Sequence, residues 1–137
     1  MAFRPIQFDS GRMVDLKAVN STAFVKGDAV VDDGNGLITT ASAGGNVDIR
    51  YVAMETVTTT SSGQLVKCVS TDGVTFEADT DAAWAQTDVG TEADLAAAGQ
   101  VDPNASTDDV FYIERGVGTA GTDTKVVGHF TRGVMNS

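Results

Sequence analysis

The sequence contains one cysteine, one histidine and two prolines in 137 residues, and its 9 lysines and arginines face 19 acids. Each shortage excludes something. Cys68 alone permits no internal disulfide and no cysteine-based zinc site. His129 alone leaves a catalytic Ser-His-Asp or Cys-His set, or a histidine-rich metal centre, dependent on distant segments converging on it. A net charge of −10 argues against binding nucleic acid, because phosphate contacts need cations. No apolar run approaches the ~18 residues of a spanning helix. Arg4, Pro5, Gln7, Asp9 and Arg12 interrupt the apolar core that a signal peptide requires. The sequence therefore leads us to expect no membrane partner, no export signal, no cofactor and no metal.

What is present suits a folded chain. Hydrophobic residues make up 42% of the sequence, which argues against disorder, and a chain of this length buries roughly two-thirds of its unfolded surface as one domain. The charge is uneven. Residues 1–27 and 115–137 each carry +2, and residues 28–114 carry −14. Such a split suggests an acidic body in solvent, with a basic N-terminus turned towards an acidic partner. Fifteen of the acids are aspartates, and turn chemistry explains many of them equally well.

Short strands dominate the pattern. Met13 to Val19 alternates, with Val14, Leu16 and Ala18 on one face. Ala29–Val31 and Leu37–Thr40 flank an Asp32-Asp33-Gly34-Asn35-Gly36 turn, whose Asn-Gly pair is a strong hairpin signal. Ile49 to Thr60 is rich in β-branched residues. Leu65–Ser70 and Val74–Glu77 suggest a second hairpin across Asp72-Gly73, and Val110–Glu114 with Lys125–Phe130 a third. Seventeen threonines and eighteen valines suit pleated, half-buried surfaces. Gly27, Gly63 and Gly90 each precede a polar and then an apolar stretch, as if turning the chain into a new strand. Helix is confined to one turn near Thr80–Ala85, while residues 91–98 fit either strand or helix. The expected fold is all-β, a small β-barrel of short antiparallel strands with at most one or two short helical turns. Residues 1–12 form an extended N-terminal arm and residues 13–137 a single β-barrel domain. A first strand packed on its own barrel fits residues 1–12 equally well.

The motifs that carry chemistry are weak. Gly116-Val117-Gly118-Thr119-Ala120-Gly121 matches the dinucleotide fingerprint, but a turn and a strand follow it where a helix is needed. Asp102, Asn104, Ser106 and Asp108 alternate as in a calcium loop, yet Thr107 and Ile113 occupy the positions that need Gly and Glu. Cys68 lies in an alternating strand, where a buried thiol is the default. Trp84 fits the mouth of a small barrel better than an exposed anchor. An enzyme would need His129 beside acids in a pocket, and no constellation supports one.

Several stretches carry a resemblance. Gly27-Asp28-Ala29-Val30-Val31 followed by Asn35-Gly36-Leu37-Ile38-Thr39-Thr40-Ala41 resembles the opening of tailed-bacteriophage capsid decoration (cement) proteins. The later order is similar too: Asp79–Ala85, Val89–Leu95, Val101-Asp102, Thr107–Phe111 and Lys125–Phe130, so that the resemblance covers residues 13–131. It implies a compact barrel or β-tulip-like fold on the outer capsid surface of a virion. It also implies a homotrimer that cross-links neighbouring copies of the major capsid protein and stabilises the shell without catalysis. An N-terminal arm that reaches a neighbour would place Phe3, Arg4, Ile6, Phe8 and Arg12 in the contact. The alternative is a carbohydrate-binding β-domain of a phage tail, fibre or cell-surface assembly, which would draw on Trp84, Tyr51 and Tyr112.

Overall fold

Valine and threonine recur in runs of three to seven residues broken by Gly, Asp and Asn, too short for stable helices and well suited to strands. The computed structural model describes residues 2–9, 11–42 and 48–131. Arg132, one of the cations of the basic C-terminal segment, and the last residues of the 13–137 span lie outside them. The strands are β1 (Phe3–Phe8), β2 (Met13–Ala18), β3 (Ala23–Phe24), β4 (Ala29–Asp32), β5 (Ile38–Thr40), β6 (Tyr51–Ala53) and β7 (Val57–Thr58), followed by β8 (Gln64–Ser70), β9 (Val74–Thr80), β10 (Glu92–Ala97), β11 (Gln100–Asp102), β12 (Phe111–Val117) and β13 (Lys125–Phe130). One 3-10 turn, Gln86–Asp88, interrupts them. The all-β, small-barrel expectation is met, and within residues 91–98 the strand Glu92–Ala97 forms.

Two rings close. The first is β2-β5-β4-β6-β8. The second runs β9-β11-β10-β12-β13 and returns to β9, with Lys125 opposite Asp79 and Gly128 opposite Phe76. β1 lies against β9 along Val74–Ala78, and β11 takes over at Asp79 and Thr80. Closure satisfies both edges of each barrel strand, and β1 keeps its outer edge free of a further strand among the described residues. The Asp32–Gly36 hairpin joins β4 to β5, and β12 pairs with β13, both as the sequence indicates. The hairpin expected across Asp72-Gly73 does not form. Both edges of β8 are occupied, by β2 and β6, so the turn instead carries the chain from one barrel into the other. Gly27, Gly63 and Gly90 have φ of 97°, 85° and 86° and stand just before β4, β8 and β10, where a left-handed residue reorients the chain.

The smaller core joins Ala18, Phe24, Val30, Ile38, Ala53, Val66 and Cys68 inside the first barrel. The larger one fills the second barrel and extends across the junction to Ala29, Ile49, Val52 and Val69. The barrels therefore share apolar packing. At its centre Phe3 lies 4.7 Å from the Phe130 ring, 5.5 Å from Phe111 and 6.4 Å from Phe76, tilted and edge-on geometries that favour aromatic contacts. Trp84 is buried, donates its indole N–H to the Val117 carbonyl at 3.1 Å and covers Gly116, where any side chain would strike its ring.

Phe3→Ala is expected to remove about 3–5 kcal/mol of stability, whereas Ile6→Ala on the same strand should change it by about 0.5 kcal/mol or less. Urea unfolding of the two variants checks this.

Candidate functional site

β1 divides into an anchored half and an exposed half. Phe3 is 1% exposed. Arg4 points away from the core, opposite Glu77, where its guanidinium meets Glu77 Oε1 at 2.8 Å and both Asp79 oxygens at 3.2 Å. Asp79 also accepts from the Ala2 amide at 2.8 Å and from Lys125 Nζ at 2.7 Å. Burial by itself would raise the Asp79 pKa. The hydrogen bonds from Arg4, Lys125 and Ala2 outweigh it and hold the carboxyl well below the usual carboxylate range. Phe3 and Arg4 thus fasten the strand to its own barrel.

Beyond Pro5 the register shifts at Ile6 and the strand opens to solvent. Ile6 is 50% exposed, Phe8 52% and Met13, at the start of β2, 50%; Arg12 is exposed between them. Gln7 and Asp9 flank Phe8 and line a depression of about 420 Å³ with Asp72, Gly73, Val74, Thr75, Glu114 and His129. His129 Nδ1 lies 2.9 Å from Glu114 Oε2, and its ring packs on Tyr112 at 5.2 Å. The histidine therefore does sit beside acids, as a catalytic reading would ask. The described lining adds a threonine hydroxyl but neither serine nor thiol, and Cys68 is buried in the first barrel. Its thiol is pushed up to about 12 by burial, reinforced by Glu55 and Asp15.

The other sequence candidates lie apart. Tyr51 lines a cavity of about 590 Å³ on the first barrel with Leu16, Ile38, Asp48 and Arg50, Tyr112 belongs to the second barrel, and Trp84 is in the core. Gly116–Gly121 spans the end of β12 and the loop to β13. Asp102 caps its own turn through the Asn104 amide at 3.0 Å. Among the described residues no group of three or more His, Cys, Asp or Glu is arranged to hold a metal, and no helix is long and apolar enough to cross a membrane.

Two aspartates escaped sequence reasoning. Asp79 and Asp94 stand in strands among apolar neighbours and look like ordinary alternating polar positions. Asp94 is buried and accepts the amides of Thr107, Asp108 and Asp109 at 3.0, 2.7 and 2.9 Å. Burial opposes its ionisation, but these amides prevail and lower its pKa. It thereby pins the loop between β11 and β12, where Asp109 takes a φ of 54°. The only sequence signal was a strand aspartate facing a Ser/Thr/Asp-rich loop.

No family model matches the sequence, and no curated protein does. The fold is nonetheless found elsewhere. It is similar to the crystal structure of the head fiber gp8.5 N base in bacteriophage phi29, with a TM-score of 0.58 and 18% identity over 88% of this chain and 96% of that one. At that identity the likeness establishes a shared architecture. The protein it reaches is the base of a phage head fiber.

Asp79 and Asp94 both have lowered folded-state pKa values, so their ionised forms stabilise the fold. That contribution is complete above the unfolded carboxyl value of about 3.9 and is lost as pH falls from there through the folded values. Asp94→Asn should therefore lower the urea midpoint at about pH 7 and approach the wild type at about pH 3. Cys68 should resist thiol reagents in the folded protein and react once it unfolds; labelling across a urea series checks this.

Proposed function

We propose that this chain is a virion structural protein that binds the outer surface of a phage capsid and stabilises it. The carrying observation is the fold it shares, over nearly the whole of both chains, with the N base of a phage head fiber. Fold alone leaves function open, but three features of the surface agree with a binding role. The core and Asp79 hold β1 rigidly. Its second half presents Ile6 and Phe8 to solvent beside Arg12 and Met13, an apolar exposure of the kind that marks interaction sites. The body is strongly acidic, which favours solubility before assembly.

In this reading Ile6, Phe8 and Arg12 carry the contact with the major capsid protein, and Phe3 and Arg4 position them. Three copies act together as a homotrimer and cross-link neighbouring capsid subunits, so that a modest affinity per contact suffices. The role is mechanical, with no reaction and no cofactor. The geometry gives no comparable support to carbohydrate binding, because Trp84 is in the core and Tyr51 and Tyr112 sit on different barrels.

Incubating the purified protein with phage shells lacking it, followed by electron microscopy, should show added density on the outer surface and slower heat disruption. Light scattering of the free protein should give three times the mass of one chain. Bare shells would overturn the capsid reading, and a monomer that stays monomeric on the shell would overturn the trimer.

A further inference from the structure

We propose that the exposed half of β1 docks a basic, apolar-bearing segment of its partner. Phe8 supplies the apolar contact, and Asp9 and Glu114 receive the Lys or Arg side chains. The inference rests on the capsid-binding reading and names the chemistry of the surface met. It reverses the polarity that the charge distribution along the chain suggests.

The reversal follows from where the cations go. Arg4 is committed to Glu77 and Asp79, and Lys125 to Asp79. These pairs neutralise Arg4 and Lys125 before any partner arrives, and Arg12, though exposed just before β2, is not part of the lining of the depression beside Phe8. Around Phe8 the balance runs the other way. The depression bordered by Gln7 and Asp9 is lined by three carboxylates and one histidine, with no Lys or Arg among the described residues. His129 is spoken for by Glu114 at 2.9 Å and by the Tyr112 ring. Phe8 lies over Val74 and Gly11 at the barrel rim, half in solvent. An apolar contact bordered by carboxylates matches a partner segment that alternates apolar and cationic side chains, since complementary charge sets register and rejects acidic surfaces. Charge-assisted bonds to carboxylates are the stronger hydrogen bonds. Pro5 and the register shift at Ile6 blunt the free edge of β1 against strand addition, so side chains make the contact.

The test uses the full chain and two labelled, capped peptides, Lys-Leu-Lys-Phe-Lys and Glu-Leu-Glu-Phe-Glu, followed by fluorescence anisotropy at physiological ionic strength. The cationic peptide should bind at least about tenfold more tightly. Asp9→Lys, Glu114→Lys and Phe8→Ser should each weaken it several-fold at unchanged melting temperature. Asp81→Lys, just past the far end of β9 and equal in charge change, should leave it intact. Equal binding of both peptides, or equal loss with Asp81→Lys, overturns the proposal. So does a Phe8→Ser variant that dissociates an oligomer while peptide binding persists, because the face then belongs to a second copy. On shells, wild-type binding that survives Asp9→Lys and Glu114→Lys overturns this inference and leaves the capsid reading standing. Failure of the wild type to bind shells, with peptide binding intact, overturns the capsid reading alone.

Discussion

Asp79 accepts hydrogen bonds from the Ala2 amide, the Arg4 guanidinium and Lys125, while one residue away on β1 Phe3 enters a cluster with Phe76, Phe111 and Phe130. The remainder of the molecule is arranged around this junction. The first strand of the chain lies on the barrel formed by its second half, so the first barrel is held between two attachments, the loop after β1 and the Asp72-Gly73 turn after β8. The Phe3 amide donates to Gly27, and Gly27 donates to Ala53, which extends the same junction into the first barrel. A buried carboxylate with one partner would be a liability. With four donors aimed at it, Asp79 is a fixed point.

The same arrangement decides what the surface offers. Arg4 and Lys125 are paired with the acids of the junction, so these two cations arrive neutralised, while Arg12, Lys17 and Lys26 stay exposed. The exposed part of β1 then combines apolar side chains with neighbouring acids, a different chemical character from the one its composition suggests. Rigidity matters here as much as charge. A contact strand whose first half is locked in a core loses little conformational freedom on binding.

Asp94 performs a related task elsewhere. Its carboxylate gathers three consecutive amides and holds a loop in which Asp109 is left-handed. A loop of serine, threonine and aspartate has little apolar surface to order it, and the buried acid replaces that missing packing. The two barrels are thus organised by aspartates as well as by hydrophobic contact, in a chain whose many other aspartates sit in turns.

Local chemistry was legible in the residues themselves. Alternation, β-branched content and the Asn35-Gly36 turn fixed strand character and the β4–β5 hairpin, and Gly27, Gly63 and Gly90 marked the entries to strands, because these depend on neighbours a few positions away. The absence of a helix after Gly116–Gly121 was equally local. Partner choice was not. Leu65–Ser70 and Val74–Glu77 have the pattern of a hairpin, yet β8 and β9 belong to different rings, since alternation specifies a buried face and says nothing of which strand supplies the other edge. For the same reason Phe3, Ile6 and Phe8 looked equivalent, and Arg4 looked free. Only the fold brought Phe76, Glu77 and Asp79 to them across more than seventy residues, burying one ring, exposing the other and pairing the charge.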